Sequence, residues 1–134
     1  KEEGLVNVGQ ILREKYGEDQ VFALGFGTHA GTVIAAEQWG EEMQVMEVPT
    51  AQAGSWEDAL QKAGPGDKAL LFTEENRDLF TDSIGHRAIG VVYNPEYEQD
   101  GNYVSTQISL RYDGFIFIEK TNSLNPLNMP LRKS

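Results

Sequence analysis

The sequence predicts an α/β fold in which helices flank a mixed β-sheet. Apolar residues recur at helical spacing in two segments, and short apolar, β-branched runs lie between turns that contain glycine or proline. Strands that follow helical segments favour parallel βαβ units, and a short turn between two other strands adds antiparallel pairing. The 134 residues fit one domain that is long enough to bury a core.

Two helices are predicted from the spacing of apolar residues and from signals at the helix ends. The apolar face of the first helix is formed by Leu5, Val8, Ile11, Leu12 and Tyr16. Gly17 then provides a C-terminal stop. The second helix begins after Ser55, an N-cap residue with Asp58 in its first turn, and it ends at the Gly-Pro-Gly-Asp turn of residues 64–67. A short helix or turn is expected at residues 76–82.

The remaining apolar runs predict the strands of the sheet. Residues 32–36 and 43–48 are expected to form a hairpin, because Gly40 suits the tight turn between them and Pro49 ends the second strand. The uninterrupted apolar run 88–93 predicts a strand that is covered on both faces. A polar loop is expected at residues 96–102. The other predicted strands are residues 21–26, 68–73, 103–110 and 114–119, the first of them buried.

Composition excludes several classes of partner. The formal net charge of −10 argues against a nucleic-acid partner, which requires clustered Lys and Arg. The absence of cysteine excludes disulfides and thiolate metal sites, and it fits a cytoplasmic protein. Apolar runs are far shorter than the roughly 18 residues that a membrane span requires, so no membrane partner is expected. Because the chain begins at Lys1 without a leader, we expect a segment of a longer chain.

A glycine-rich segment, residues 25–31, allows two interpretations. With Glu47 about 20 residues further on, it superficially matches a dinucleotide-binding fingerprint. The glycine spacing, however, has one residue too many, and the β-branched residues Thr32, Val33 and Ile34 disfavour the helix that this motif requires. A glycine-rich turn between two strands is therefore the favoured interpretation, and a nucleotide-binding domain is kept as the weaker alternative.

Three residues are candidates for substrate binding. Thr28 and His29 lie at the end of a predicted strand, where open α/β sheets present groups to ligands. A histidine there suits proton transfer near neutral pH, although a structural loop histidine is the more common case. Tyr93 ends the apolar run 88–93, where it either lines a cleft or is a half-buried core tyrosine.

Other polar residues are expected to have structural roles. His86 is predicted to be either a surface histidine or a histidine at the entry to a strand. Arg87 and Asp113 flank apolar strands and are expected to pair, which at an exposed site contributes about 0–1 kcal/mol. The carboxylates considered as an acid/base pair are expected to be solvated; they are Glu37, Glu74 and Glu75.

Known catalytic motifs are missing from the sequence. There is no Gly-x-Ser-x-Gly elbow and no His-Glu-x-x-His motif, so neither a serine mechanism nor a zinc site is supported. No catalytic residue, metal ligand or cofactor is therefore predicted within this chain.

Four sequence blocks in a fixed order carry a resemblance to a known family. They are residues 7–17 (Asn-Val-Gly-Gln-Ile-Leu-Arg-Glu-Lys-Tyr-Gly), 25–33 (Gly-Phe-Gly-Thr-His-Ala-Gly-Thr-Val), 87–96 (Arg-Ala-Ile-Gly-Val-Val-Tyr-Asn-Pro-Glu) and 111–118 (Arg-Tyr-Asp-Gly-Phe-Ile-Phe-Ile), the last followed by Thr121 and Pro126-Leu127. Together they resemble the C-terminal part of the erythromycin esterase-like family, whose characterised members hydrolyse macrolactone esters. Some members are labelled succinoglycan biosynthesis proteins.

This resemblance implies that residues 1–134 are one α/β segment of a larger hydrolase-type enzyme. Family members use a histidine to activate water, with glutamates and an arginine nearby and without a required metal. Those residues belong to upstream segments, so the isolated chain is expected to be inactive and mainly scaffold. Its expected partners are the upstream part of the same chain and, through the whole protein, a small-molecule ester. The alternative is a non-enzymatic or polysaccharide-biosynthesis-associated binding domain.

Overall fold

A computed structural model describes residues 7–127 of the chain. Its helices are α1 (Val8–Tyr16), α2 (Trp56–Lys62), α3 (Glu98–Gly101) and α4 (Ile108–Arg111). Its strands are β1 (Leu24–Ala35), β2 (Gln44–Val48), β3 (Lys68–Leu71), β4 (Ile84–Arg87), β5 (Tyr103–Thr106) and β6 (Gly114–Thr121). Short 3-10 turns occur at Glu18–Gln20, Arg77–Phe80 and Pro95–Tyr97.

The strands form a mixed sheet with flanking helices, which confirms the predicted fold class. Four strands lie in the order β2-β1-β6-β3, and β4 and β5 form a separate pair. β1 runs parallel to β6 and antiparallel to β2, and β3 is antiparallel to β6. The predicted hairpin is present, with Ala35 paired to Gln44 and Gly31 paired to Val48. Within residues 7–127, no helix combines the length and the apolar character needed to cross a membrane.

Both long predicted helices form, and local capping explains their ends. Asn7 accepts a hydrogen bond from the backbone N–H of Gln10 at the start of α1, and Gly17 ends that helix with φ of 89°. Leu5, part of the predicted apolar face, lies outside the described residues. At the start of α2, the hydroxyl of Ser55 accepts from the N–H of Asp58 at 3.1 Å. Each cap satisfies a backbone donor that the first helical turn leaves unpaired.

The main core lies between α2 and one face of the sheet. Side chains alternate along β6, so Phe115 and Phe117 point to the same face, and both are fully buried. The cluster around them contains Trp56, Leu60, Phe72 and Ile108. A second cluster joins Ala35, Met46 and Val48 of the hairpin to Tyr93.

The glycine-rich segment is not a turn, which corrects the favoured interpretation of residues 25–31. β1 continues through it without interruption, and Phe26 is 60% exposed, so the strand predicted there is not fully buried either. The glycines are required by close packing. A Cβ at Gly25 would lie 2.7 Å from the ring of Tyr112, and one at Gly27 would lie 2.6 Å from Phe115.

Three further sequence predictions between residues 88 and 110 are wrong. Residues 88–93 form no strand beyond one bridge between Ala36 and Val92, and Val91 is 63% exposed. Residues 96–102 are not a polar loop, because a 3-10 turn and α3 fold there and bury Glu98. The strand expected at residues 103–110 stops with β5, since α4 follows it.

Candidate active site

A buried glutamate and histidine lie where α2 meets β4. Glu57, in the first turn of α2, has 0% of its surface exposed, and His86 of β4 has 4% exposed. Nδ1 of His86 lies 2.5 Å from Oε1 of Glu57, which also accepts the backbone N–H of Arg87 at 3.0 Å. Because this carboxylate oxygen already acts as an acceptor for Arg87, we assign the hydrogen of its contact with His86 to Nδ1. The carboxylate therefore fixes the orientation of the imidazole ring.

Tyr112 contacts the other nitrogen of the same imidazole. Its hydroxyl lies 3.0 Å from Nε2 of His86, and the two rings meet edge to face. Burial raises the pKa of the Tyr112 hydroxyl above its ordinary value, with Arg111 opposing that shift. Tyr112 therefore keeps its hydrogen near neutral pH. Glu57, His86 and Tyr112 together form what we call the relay.

Packing around the relay depends on a glycine in β1. A Cβ at Gly27 would lie 3.2 Å from Oε1 of Glu57, as well as against Phe115. The ring of Phe115 in turn packs edge to face on His86. A larger residue at position 27 would push the carboxylate or the ring away, so the sequence of β1 leaves space for the relay.

Beside the relay lies a second buried polar network, centred on Arg87. Nε of Arg87 lies 2.8 Å from Oε1 of Glu98, close enough for an ion pair although it is not aligned as a hydrogen bond. The hydroxyl of Tyr93 donates to the same oxygen at 2.9 Å. Burial, reinforced by this bond to Glu98, raises the pKa of Tyr93. The network pairs each buried charge with an opposite one.

Arg87 also joins the strands around it. Its guanidinium donates to the backbone carbonyls of Thr28, His29 and Pro49 at 2.8–3.0 Å. The predicted Arg87–Asp113 pair is therefore wrong. Asp113 instead accepts from Arg13 and from the backbone N–H of Ala23, which ties α1 to the sheet.

A cavity of about 500 Å³ opens beside the relay. Its apolar lining includes Phe26, Val33, Ile34, Ile89, Ile118 and Leu124. His86 and Tyr112 of the relay also line it, as do Arg87 and Arg111. An apolar cavity with a few convergent polar groups is typical of sites that bind small organic molecules.

Comparison with known proteins identifies the family. A family model described as erythromycin esterase matches residues 1–121. The chain belongs to the erythromycin esterase family. It is also similar to a crystal structure described as that of a succinoglycan biosynthesis protein, with 18% sequence identity and a TM-score of 0.70. That likeness, which is evidence for the fold alone, covers 87% of this chain and 28% of the other, so the chain spans little more than a quarter of that protein.

Of the three predicted substrate-binding residues in this erythromycin esterase family chain, Thr28 alone lines the described cavity. Its hydroxyl donates to the carbonyl of Ala30 at 3.0 Å. Tyr93 is 1% exposed in the Arg87 network, and neither it nor His29 is among the cavity-lining residues. Substrate binding by these residues stays a prediction.

His29 lies instead beside the N-terminal region of α2 and the end of β6. It contributes to lowering the pKa of Asp58, whose main cause is the backbone N–H of Gly54. His29 also contributes to lowering the pKa of Glu119, for which the main cause is a hydrogen bond from the side chain of Gln61. Its own Nδ1 is buried without a hydrogen-bond partner among the described residues. In residues 7–127 no group of three or more histidines and carboxylates is close enough together to hold a metal ion.

The sequence does not predict the relay. Of the two positions expected for His86, the surface one is wrong, because the side chain is buried within β4. Glu57 follows Ser55 in a first helical turn, where acidic residues are common and usually solvated. His86 belongs to a strand whose register is set by β5, since His86 pairs with Val104. One available signal is the two-residue period of a strand, which places His86 on the same face as Ile84, a residue that packs against the main core.

Proposed function

We propose that this chain is the C-terminal part of a longer erythromycin esterase-like hydrolase that cleaves a macrolactone or another ester. In that enzyme the chain is mainly scaffold, and the cavity beside the relay is one wall of the substrate cleft. Membership of the erythromycin esterase family supports the hydrolase class. The absence of cysteine supports a cytoplasmic location.

The cavity is the observation that carries this proposal. An ester substrate has an apolar body and a polar carbonyl, and the cavity combines apolar walls with the side chains of His86 and Tyr112. A volume of about 500 Å³ lies within the range of small-molecule sites. Open sides of the cavity leave room for walls from the rest of the longer chain.

In the proposed reaction, a histidine from the upstream part of the enzyme removes a proton from water as the water attacks the ester carbonyl. A neighbouring carboxylate orients that histidine and stabilises the imidazolium that forms. The present chain contributes the shape and apolar character of the cleft. Arg87 holds that wall together, since it donates to the carbonyl of Thr28 within β1 and to that of Pro49 just after β2.

Ester hydrolysis is measured with the full-length protein and with the 134-residue chain side by side. Both are incubated with a panel of macrolides and simpler lactones, and the addition of one water is followed by mass spectrometry. We expect the full-length protein alone to convert a substrate. Conversion by the isolated chain contradicts the placement of the catalytic base upstream. Failure of both proteins on every ester contradicts the hydrolase assignment.

A second candidate function is a binding domain associated with polysaccharide biosynthesis. It is favoured by the structural similarity to a protein described as a succinoglycan biosynthesis protein. Isothermal titration of the full-length protein with succinoglycan oligosaccharides distinguishes the two candidates. Saturable binding without conversion of any ester favours the binding domain, and ester turnover without oligosaccharide binding favours the hydrolase.

A further inference from the structure

We propose that Tyr112 donates a proton to the leaving oxygen of the ester, and that His86 and Glu57 are positioning residues behind it. The proposal rests on the proposed hydrolase function and assigns a catalytic step to this chain. It therefore goes beyond the role of scaffold and cleft wall. The three side chains belong to α2, β4 and the segment just before β6.

Charge balance around Glu57 indicates where the proton is held. Glu57 is fully buried, and an unpaired carboxylate at such a site is strongly unfavourable. The guanidinium of Arg87 is already paired with Glu98. Among the described residues, His86 is the side chain within ion-pair distance of Glu57 that can carry a positive charge. The pair is therefore neutral as a whole when His86 is an imidazolium.

An imidazolium at His86 sets the direction of the Tyr112 hydroxyl. Both ring nitrogens then donate, Nδ1 to Glu57 and Nε2 to the oxygen of Tyr112. Because the tyrosine oxygen accepts that bond, its own hydrogen is available for another acceptor. No other described residue hydrogen-bonds this hydroxyl, and Tyr112 lines the cavity. A bound ester supplies the acceptor.

The proton transfers balance over one turnover. After water has added to the carbonyl, the tetrahedral intermediate collapses, and the bond between the acyl carbon and the leaving oxygen breaks. The leaving oxygen takes the proton of Tyr112, and Tyr112 recovers a proton from Nε2 of His86. His86 is then neutral, with Nδ1 still donating to Glu57. The proton that the upstream base removed from water returns to His86 through solvent.

The chemistry of the leaving group gives a selective test. An alkoxide is a strong base and leaves slowly unless it is protonated, whereas nitrophenolate leaves readily without a proton. General acid catalysis typically contributes about 10²–10⁴-fold to the rate. Loss of the Tyr112 hydroxyl is therefore expected to slow hydrolysis of alkyl esters and to spare nitrophenyl esters. The nitrophenyl ester also reports that the variant is folded and binds the acyl group.

The experiment compares Tyr112→Phe with wild type in the full-length protein, using an alkyl ester and a p-nitrophenyl ester of the same acid. We expect kcat on the alkyl ester to fall about 100-fold and kcat on the nitrophenyl ester to change less than about threefold. His86→Gln and Glu57→Gln are expected to show the same selectivity, because they act through Tyr112. Tyr97→Phe, at a tyrosine that is 63% exposed, is the matched control and should leave both rates unchanged.

Each outcome separates the proton-donor role from the hydrolase function. Equal losses on the two esters, or no loss on either, overturn the role of Tyr112 while the hydrolase proposal stands. A wild-type protein that is inactive on both esters overturns the hydrolase proposal and the donor role with it. Selective loss in Tyr112→Phe without selective loss in His86→Gln overturns the positioning role of His86.

Discussion

Replacing Arg87 with methionine is expected to lower the free energy of unfolding by about 3–5 kcal/mol, because it leaves the buried carboxylate of Glu98 without its counter-charge. Both side chains of this ion pair are only 2% exposed. The substitution also removes the donors to the carbonyls of Thr28, His29 and Pro49. Urea denaturation of the variant and the wild type measures the difference.

Two further variants test the cause of that loss. Lys62→Met removes an exposed ion pair with Asp58 and should cost less than about 1 kcal/mol. The double variant Arg87→Met with Glu98→Gln should be less destabilised than the sum of its single substitutions, because no charge is left unpaired. A loss below about 1 kcal/mol in Arg87→Met itself contradicts the proposed importance of the buried pair.

Replacing Gly31 with alanine is expected to lower the free energy of unfolding by about 3 kcal/mol or more, since two unfavourable effects combine. Gly31 has φ of 132°, a region that L side chains rarely adopt. A Cβ at this position would also overlap the backbone of Thr121, to which Gly31 is paired across β1 and β6. Thermal and urea unfolding of the variant measure the loss.

Gly40→Ala is the matched control for Gly31→Ala. Gly40 also has a positive φ, of 84°, but a Cβ at this position would meet no heavy atom within 4 Å. Its substitution should cost only about 1–2 kcal/mol from backbone strain. Equal losses in the two variants contradict the backbone contact between Gly31 and Thr121 as the dominant cause.

The parts of the fold that depend on local signals could be predicted from the sequence. Ser55 caps the start of α2 through a hydrogen bond from a residue three positions away, and Gly17 ends α1 through its own positive φ. Because these signals are local, the sequence predicts both helices. The hairpin follows from two β-leaning runs and Gly40. The strand predicted at residues 88–93 is wrong because the apolar residues of this run lie in different environments and do not share one buried strand. Tyr93 is 1% exposed, and Val91 is 63% exposed.

The candidate site depends on contacts between distant parts of the chain, which a single sequence does not reveal. Glu57 and His86 are 29 positions apart, and their pairing requires the register of β4 against β5 and the packing of α2. Gly25 and Gly27 suggest a turn when only the sequence is considered. In the fold they are glycines because the rings of Tyr112 and Phe115, which are distant in the chain, occupy the space that a Cβ would need. Only the assembled sheet shows why β1 carries glycines there.

The ester-binding role of the cavity is tested most directly by Gly90→Trp in the full-length protein. Gly90 lines the cavity, is exposed, and has no non-neighbouring heavy atom closer than 4.0 Å to a Cβ, so a large side chain fits without a clash. Gly101→Trp, at an equally open position away from the cavity, is the control. We expect kcat/KM for the ester to fall about 100-fold in Gly90→Trp, with unchanged Tm, and to stay at the wild-type value in Gly101→Trp. Wild-type kcat/KM in Gly90→Trp would contradict the assignment of this cavity as the substrate cleft.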